Sequence, residues 1–158
     1  MPGKEHRYEI HLQWTGNTGN GTKDYRSYER DHVIRAGGKD PIAGSSDPAF
    51  RGSAERWNPE DLLVASLSAC HKLWYLHLCS SNGVVVTSYE DRAEGLMVED
   101  ASKGGCFKKV LLHPHITIAP GSDVEKARAL HGEAHGLCFI ANSVNFEVAH
   151  EPVIEIGE

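Results

Sequence analysis

The chain is organised around the stretch 58-NPEDLLVASLSACHKLWYLHLC-79. Asn58 is suited to the N-cap of a helix, because its side-chain oxygen accepts hydrogen bonds from the free amides of the first turn. Pro59 fits the first helical position, and the acidic pair Glu60 and Asp61 lies at the positive end of the helix dipole. No glycine or proline follows until Gly83, so the stretch predicts one long helix.

Apolar side chains lie nearly all the way around this predicted helix. Such a distribution is typical of a helix that is enclosed by protein rather than lying on a surface. In a chain of 158 residues one sheet covers only one side of the helix, so we expect a partner subunit to cover the other. The apolar residues are Leu62, Leu63, Ala65, Leu67, Ala69, Leu73, Leu76 and Leu78.

Helical geometry sorts the remaining side chains of the stretch. At about 100° per residue, Ser66, Trp74 and His77 fall on the same side of the helix as Cys70. Cys79 falls on the opposite side, so these two thiols cannot bond within one helix. Cys70 lies too far from the amino end to feel the helix dipole, and a thiolate there needs a cation from another part of the protein.

Composition argues against several classes of protein. The net charge of −6 is unlike a nucleic-acid-binding surface, which is basic. No apolar run is long and charge-free enough to span a membrane, and the polar start MPGKEH lacks the apolar core of a secretory signal. Four cysteines without an export signal predict thiols in a reducing compartment, so we expect a cytoplasmic protein with a single domain over residues 1–158.

The rest of the chain predicts strands and two further helices. Alternation at Tyr8, Ile10, Leu12 and Trp14 is typical of a half-buried strand. Further strands are predicted at 25–30, 32–35, 84–98 with a bend at Gly95, 106–118 with a kink at Pro114, and 146–156. The runs 84–98 and 106–118 form a predicted hairpin, and helices are predicted at 124–134 and 138–144. Because strands and helices are grouped rather than alternating, the order favours an α+β fold.

A second cysteine changes the interpretation of Cys70. Alone, a cysteine in the middle of a helix is usually a small buried hydrophobic residue. Cys138, however, follows the helix-breaking Gly136 at the start of a short predicted helix, where free amides favour a thiolate. Two such thiols are the parts of a redox couple, in which one becomes a sulfenic acid and the other condenses with it to a disulfide. The sequence does not show whether they meet.

The run Asn58-Pro59-Glu60-Asp61-Leu62-Leu63, then Ser68-Ala69-Cys70, a second cysteine 68 residues later and a closing strand resemble the OsmC/Ohr family of hydroperoxide-detoxifying proteins. The element order matches over nearly the whole chain. The resemblance implies an OsmC-like fold, with antiparallel sheets wrapped around the long central helices of an intertwined homodimer. It also implies a thiol-dependent peroxidase of organic hydroperoxides, related in chemistry to peroxiredoxins, that needs no cofactor and no metal.

The resemblance assigns roles to particular residues. Cys70 is the expected peroxidatic thiol and Cys138 the resolving thiol, and Glu60 is expected to pair with an arginine that also serves the thiolate. Arg51 is the first choice for this arginine. In the family a proline often follows the second cysteine, whereas this chain has Phe139. The other arginines that stay open are Arg56, Arg35 and Arg26.

Helical rise adds a constraint on Glu60. Ten residues separate it from Cys70, or about 15 Å along one helix, so it cannot touch Cys70 of its own chain. If both serve one site, we expect Glu60 to come from the partner subunit. The expected substrate pocket takes the alkyl group against Leu67, Leu73 and Trp74, while His71 and His77 are candidates to tune the thiol or donate to a peroxide oxygen.

The sequence therefore predicts a cytoplasmic homodimer that reduces organic hydroperoxides to alcohols and is regenerated by an external dithiol. The alternative is a non-catalytic dimer on the same fold that binds a small apolar ligand or responds to stress. A third interpretation is a zinc site at His131, His135 and Cys138, which Gly136 disfavours. Four other residues are expected to be packed or surface residues without chemistry: Cys79, Cys106, His113 and His115.

Overall fold

A computed structural model describes residues 3–158 of the chain. These residues divide into two compact units, one up to Leu62 and one from Leu63 to Glu158, and a single long helix continues from the first into the second. The single domain expected over 1–158 stays a prediction. None of the helices within residues 3–158 has the length and apolar character needed to cross a membrane.

The first unit contains one antiparallel sheet with the strand order β1-β2-β3. β1 is His11–Trp14, β2 is His32–Arg35 and β3 is Ile42–Gly44, and a 3-10 turn follows at Pro48–Phe50. All of β1 is exposed rather than half-buried, and the strand predicted at 25–30 is a turn. That turn forms because Arg30 donates to the carbonyls of Tyr28 and Tyr25, both at 2.6 Å, which gives the backbone partners other than a sheet ladder.

The long helix α1 spans Pro59–Ser81, as predicted. Asn58 caps it, since its side-chain oxygen accepts from the Asp61 amide at 2.7 Å. At the other end Gly83 adopts a left-handed backbone with φ 73°, and the Val84 amide donates to the Cys79 carbonyl at 3.0 Å. Glycine meets no steric penalty in this conformation, so the helix ends where the sequence first offers one.

The second unit contains two three-stranded sheets, with the orders β4-β7-β9 and β5-β6-β8. The predicted hairpin is present, because β4 pairs with β7 and β5 with β6 in antiparallel fashion. Its arms are interrupted at 92–93 and at His113, close to but not at the expected Gly95 and Pro114. The elements are β4 (Val86–Asp91), β5 (Glu94–Val98), β6 (Cys106–Leu112), β7 (Pro114–Ile118), α2 (Val124–Leu137), a 3-10 turn (Ala141–Ser143), β8 (Glu147–His150) and β9 (Val153–Ile156).

The closing strand predicted at 146–156 does not pair in antiparallel fashion. It is split into β8 and β9, which pair in parallel with β6 and β7. Helix α2 is the crossover that makes parallel pairing possible, because it returns the chain before the last strand begins. The fold is therefore α+β, as expected, with two mixed sheets in the second unit.

Helix α1 buries one stripe of side chains against this second unit. Leu67, His71, Tyr75 and Leu78 recur at intervals of three or four residues and are all buried. Leu73, on another side of the helix, is 62% exposed. Within one chain the helix is thus covered on one side. The partners of its core residues are Val110, Leu112, Ile116, Ile118, Ala127, Leu130 and Ala134.

The Asp91 carboxylate connects α1 to the point where the arms of the hairpin are interrupted. Asp91, the last residue of β4, accepts from the Ser68 hydroxyl at 2.5 Å and from the His113 backbone amide at 2.7 Å. Ser68 lies two residues before Cys70 on α1, so this carboxylate holds the part of the helix that carries the thiol. Hydrogen bonds to a charged acceptor are stronger than neutral ones.

Replacing Asp91 with alanine should lower the free energy of unfolding by about 2–4 kcal/mol, because two hydrogen bonds to a half-buried carboxylate are lost. Urea unfolding followed by circular dichroism measures this. Glu99→Ala, at an exposed position, is the control and should change the value by less than about 0.5 kcal/mol. A loss in Asp91→Ala as small as that of the control would contradict the assigned role.

Candidate active site

Cys70 lies about 100° around the axis of α1 from the middle of the buried stripe. Leu73, Trp74 and His77 follow it at intervals of three, four and seven residues, which places them on the same side of the helix. These three side chains line a cleft of about 280 Å³. The Trp74 and His77 rings pack edge to face at 5.9 Å, and Cys70 itself is only half-buried. A small molecule that enters the cleft therefore has access to the thiol side of the helix.

Cys138 lies immediately after α2 and is only 1% exposed. The helix predicted at 138–144 is absent: α2 runs through Gly136 to Leu137, and only the 3-10 turn at Ala141–Ser143 follows. The Ala141 amide still donates to the Cys138 sulfur at 3.4 Å. Burial nevertheless dominates and raises the pKa of the Cys138 thiol to about 11, with the neighbouring Cys70 thiol acting in the same direction. Cys138 is therefore protonated at neutral pH, and the expected stabilisation of a thiolate does not occur.

The two cysteines are neighbours although 68 residues separate them in the sequence. The Cys70 thiol lies near enough to Cys138 to raise the pKa of the Cys138 thiol. Next to them, the Trp74 and Phe139 rings pack edge to face, with centroids 5.4 Å apart. Both cysteines are free thiols. The site thus combines one accessible and one buried thiol beside an apolar cleft.

Two residues expected in the pocket lie elsewhere. Leu67 is fully buried and packs with Val110 and Leu112. His71 is 1% exposed, and its Nε2 lies 3.0 Å from Nδ1 of His131. The reason is the direction of their side chains, since both belong to the buried stripe of α1. Of the predicted pocket residues, the structure brings Leu73, Trp74 and His77 together.

Glu60 and the candidate arginines all lie in the first unit. Glu60 is half-buried in the first turn of α1. Arg51 follows the 3-10 turn with a left-handed backbone, φ 65°, and it is the one non-glycine residue with positive φ among residues 3–158. Such strain costs about 1–3 kcal/mol and clusters at functional sites. No sequence pattern indicated this backbone conformation, which only the folded loop reveals.

Arg56 already has partners within the sheet. Its Nε donates to the Gly44 carbonyl and its Nη2 to the His32 carbonyl, each at 2.8 Å, and Asp31 lies 3.7 Å away. By contrast, no hydrogen bond or ion pair of the Arg51 guanidinium is found among the described residues. Arg51 is therefore better placed than Arg56 to bind a new anionic partner.

The other cysteines and the surface histidines show no arrangement that points to a reaction. Burial raises the pKa of the Cys79 thiol, and Cys106 is exposed at the start of β6. His113 and His115 lie beside glutamates, with Nε2 to carboxylate distances of 2.6 Å to Glu94 and 3.1 Å to Glu155. Within residues 3–158, no three or more His, Cys, Asp or Glu side chains are arranged around a possible metal position.

The sequence profile of the family described as OsmC-like protein matches residues 52–152, which is more than half of the chain. The chain therefore belongs to the OsmC-like family, and the resemblance seen in the sequence is confirmed. No curated protein matches the chain at a significant level.

Solved structures show the same fold. An OsmC-like protein of unknown function from Vibrio cholerae is 28% identical, covers 94% of this chain and 100% of its own, and has a TM-score of 0.86. An organic hydroperoxide resistance protein from Legionella pneumophila is 21% identical over 96% of this chain and 99% of its own, with a TM-score of 0.66. One from Elizabethkingia anophelis is 20% identical over 98% and 100%, with a TM-score of 0.68.

The buried histidines predict a specific loss of stability in acid. Burial, followed by the charge of neighbouring histidines, lowers the pKa of His71 to about 4 and that of His131 to about 3, from an ordinary value of 6.5. The unfolded chain binds protons below about pH 6.5, whereas the folded rings do not until about pH 4 and 3. The free energy of unfolding should therefore fall as the pH drops from 6.5 towards 4.

Urea unfolding at pH 7.5, 6, 5 and 4.5 measures this slope, which has a limit of about 1.4 kcal/mol per pH unit for each histidine. The double variant His71→Leu/His131→Leu is the control and should show a shallower slope. Equal slopes in the two proteins would mean that these rings are not neutral in the folded state.

Proposed function

We propose that this protein is a cysteine-based peroxidase that reduces organic hydroperoxides to alcohols and works as a homodimer in the cytoplasm. The observation that carries the proposal is the pairing of a half-buried Cys70 with a buried, protonated Cys138 next to an apolar cleft. Membership of the OsmC-like family supports it, as do two structural neighbours named organic hydroperoxide resistance proteins.

In the first step the Cys70 thiolate attacks the terminal oxygen of the hydroperoxide. A sulfur–oxygen bond forms, the oxygen–oxygen bond breaks, and the departing alkoxide takes up a proton to become the alcohol. Cys70 is left as a sulfenic acid. The alkyl group of the substrate lies against Leu73 and Trp74 in the cleft, because burial of apolar surface favours this orientation.

In the second step the Cys138 sulfur attacks the sulfur of the Cys70 sulfenic acid. The disulfide bond forms, and the hydroxyl group leaves with the Cys138 proton as water. A Cys138 pKa of about 11 suits this role, since the thiol stays protonated and does not compete for peroxide. An external dithiol then reduces the disulfide and is itself oxidised to a disulfide.

A cation has to stabilise the Cys70 thiolate, and we assign this role to Arg51. Arginine stays charged and its planar guanidinium can contact a carboxylate and a thiolate at once. We assign the carboxylate to Glu60. It cannot reach Cys70 of its own chain along a straight helix, because their separation is about 15 Å at the standard rise. Both residues would therefore serve the thiol of the partner subunit.

Exposed apolar side chains in the first unit support a dimer. Tyr8, Ile10, Leu12 and Trp14 alternate along the chain and are 90%, 60%, 52% and 40% exposed. Exposed apolar side chains that recur along one segment are typical of a surface that another protein covers. A catalytically active monomer in a size measurement would contradict the shared site.

A second function is a non-catalytic dimer that binds a small apolar ligand. The cleft supports this alternative, because Leu73 and Trp74 offer apolar surface that could bind a ligand without any thiol chemistry. Stopped-flow mixing with cumene hydroperoxide separates the two functions. Peroxide consumption with formation of a Cys70–Cys138 disulfide supports the peroxidase, whereas binding without turnover supports the alternative.

Serine substitutions at the two cysteines should have different effects. Cys70→Ser should abolish peroxide consumption, because no sulfur remains to attack. Cys138→Ser should still perform one turnover and then accumulate a Cys70 sulfenic acid, which dimedone labelling and mass measurement detect. Cys106→Ser, at an exposed thiol, is the matched control and should retain full activity. Repeated turnover by Cys70→Ser would overturn the enzyme assignment.

Substitutions at Arg51 should separate activity from stability. Arg51→Gly relieves a left-handed backbone and should not lower the free energy of unfolding. The rate of Cys70 oxidation should nevertheless fall at least about tenfold in Arg51→Gly, and clearly in Arg51→Lys, because the fork geometry is lost. Arg35→Lys is the control, and a rate loss in that variant alone would transfer the role to Arg35.

A further inference from the structure

Four histidines meet on the inner side of α1, away from the cleft. They are His71 of α1, His131 and His135 of α2, and His150 of β8, with neighbouring ring centroids between 5.3 and 6.0 Å apart. The rings of His71 and His131 are nearly parallel, with 8° between their planes. A nitrogen at the edge of one of these two rings faces a nitrogen of the other, and no three of the four side chains are arranged around a possible metal position.

The central contact is a hydrogen bond between two neutral imidazoles. Nε2 of His71 lies 3.0 Å from Nδ1 of His131, and both side chains are at most 1% exposed. A neutral imidazole has one donor and one acceptor nitrogen, so one ring donates and the other accepts. Burial lowers the pKa of both rings far below 7, which keeps the pair uncharged in neutral solution.

This hydrogen bond joins the two elements that carry the thiols. His71 is the residue after Cys70 on α1, and His131 lies seven residues before Cys138 on the helix that Cys138 ends. Tyr75 stacks on the His131 ring with centroids 3.8 Å apart and an angle of 11°, which fixes the ring orientation. A displacement of α1 relative to α2 would therefore break the bond and also change the separation of the sulfur atoms.

Both rings of the pair are buried, so unpaired nitrogens are costly here. Nε2 of His131 is buried and already lacks a hydrogen-bond partner within residues 3–158. If the 3.0 Å contact opened, both facing nitrogens would also be left unpaired in the core. Leaving a buried polar group unpaired costs more than a typical hydrogen bond contributes, so the relative position of the helices is held strongly at this point.

We propose that His71 and His131 are positioning residues that hold α1 and α2 at the separation at which Cys70 and Cys138 form their disulfide. The inference rests on the thiol pair of the proposed function and adds a requirement to its second step. The two histidines touch neither the substrate nor the sulfur atoms in this role. They act through the helices that carry the cysteines.

The test measures the equilibrium of disulfide formation without any peroxide. Purified full-length protein is equilibrated with mixtures of reduced and oxidised glutathione, in which one oxidised glutathione takes two electrons from the two thiols and yields two reduced glutathiones. Mass measurement after alkylation gives the fraction with a Cys70–Cys138 bond. In His71→Leu and His131→Phe the equilibrium constant for this bond should fall about tenfold, the scale of one lost hydrogen bond.

Conservative variants and a matched control separate positioning from general stability. His71→Gln and His131→Asn place an amide where the bonding nitrogen was, and should restore the constant to within about twofold of the wild type. Tyr75→Phe removes another buried bond between the same helices, from the Tyr75 hydroxyl to the Ala127 carbonyl at 2.9 Å. It should lower the melting temperature but leave the disulfide constant nearly unchanged.

The outcomes distinguish this inference from the proposed function. A wild-type constant in His71→Leu and His131→Phe overturns the positioning role alone. An equal fall in Tyr75→Phe, or no recovery in His71→Gln and His131→Asn, also overturns it, because general loosening would then explain the effect. If His71→Leu does not fold, His131→Phe, which keeps a ring to stack on Tyr75, decides the question. A wild-type protein that forms no Cys70–Cys138 bond overturns both proposals.

Discussion

The packing of helix α1 against the second unit is the constraint on which the site depends. Leu67, His71, Tyr75 and Leu78 are buried on one side of the helix, so Cys70, Leu73 and His77 have to lie on a neighbouring side, with Trp74 packed against the edge of the core. A helix has no freedom to rotate one residue without rotating all of them. The positions of the thiol and of the cleft therefore follow from which side of α1 enters the core.

The same packing gives the two cysteines different environments. Cys70 is on the outer side of the core and half-buried, whereas Cys138 ends α2 inside the core, where desolvation opposes the charged thiolate. A hydrogen bond from the Ala141 amide is too weak to offset that desolvation. The difference between the two thiols thus comes from burial and not from the local sequence around each cysteine, and the proposed roles of attacking and resolving thiol rest on it.

Two polar contacts with α1 add precision to the apolar packing. The Asp91 carboxylate holds Ser68 on the amino-terminal side of Cys70, and the imidazole of His131 holds His71 on the carboxy-terminal side. Hydrophobic contacts are not directional, so they tolerate small shifts of a helix along its axis. Hydrogen bonds are directional and tolerate such shifts poorly, and Cys70 lies between one that is half-buried and one that is in the core.

The long helix, its caps and the α+β order could be read from the sequence, because capping chemistry and apolar periodicity are local properties of the chain. The family resemblance also rested on local residues, from Asn58 to Cys70. The strand predicted at 25–30 was wrong, since the bonds of the Arg30 guanidinium to nearby carbonyls leave no trace in an alternation pattern.

The long helix that carries Cys70, and the presence of a second cysteine that could pair with it, were evident from the sequence. Only the tertiary structure decided that the two cysteines are neighbours, that His71 faces the core instead of the cleft, and that the Cys138 thiol stays protonated. The physical reason is that proximity and desolvation depend on residues distant in the chain, and those contacts exist only after the helices and sheets have packed.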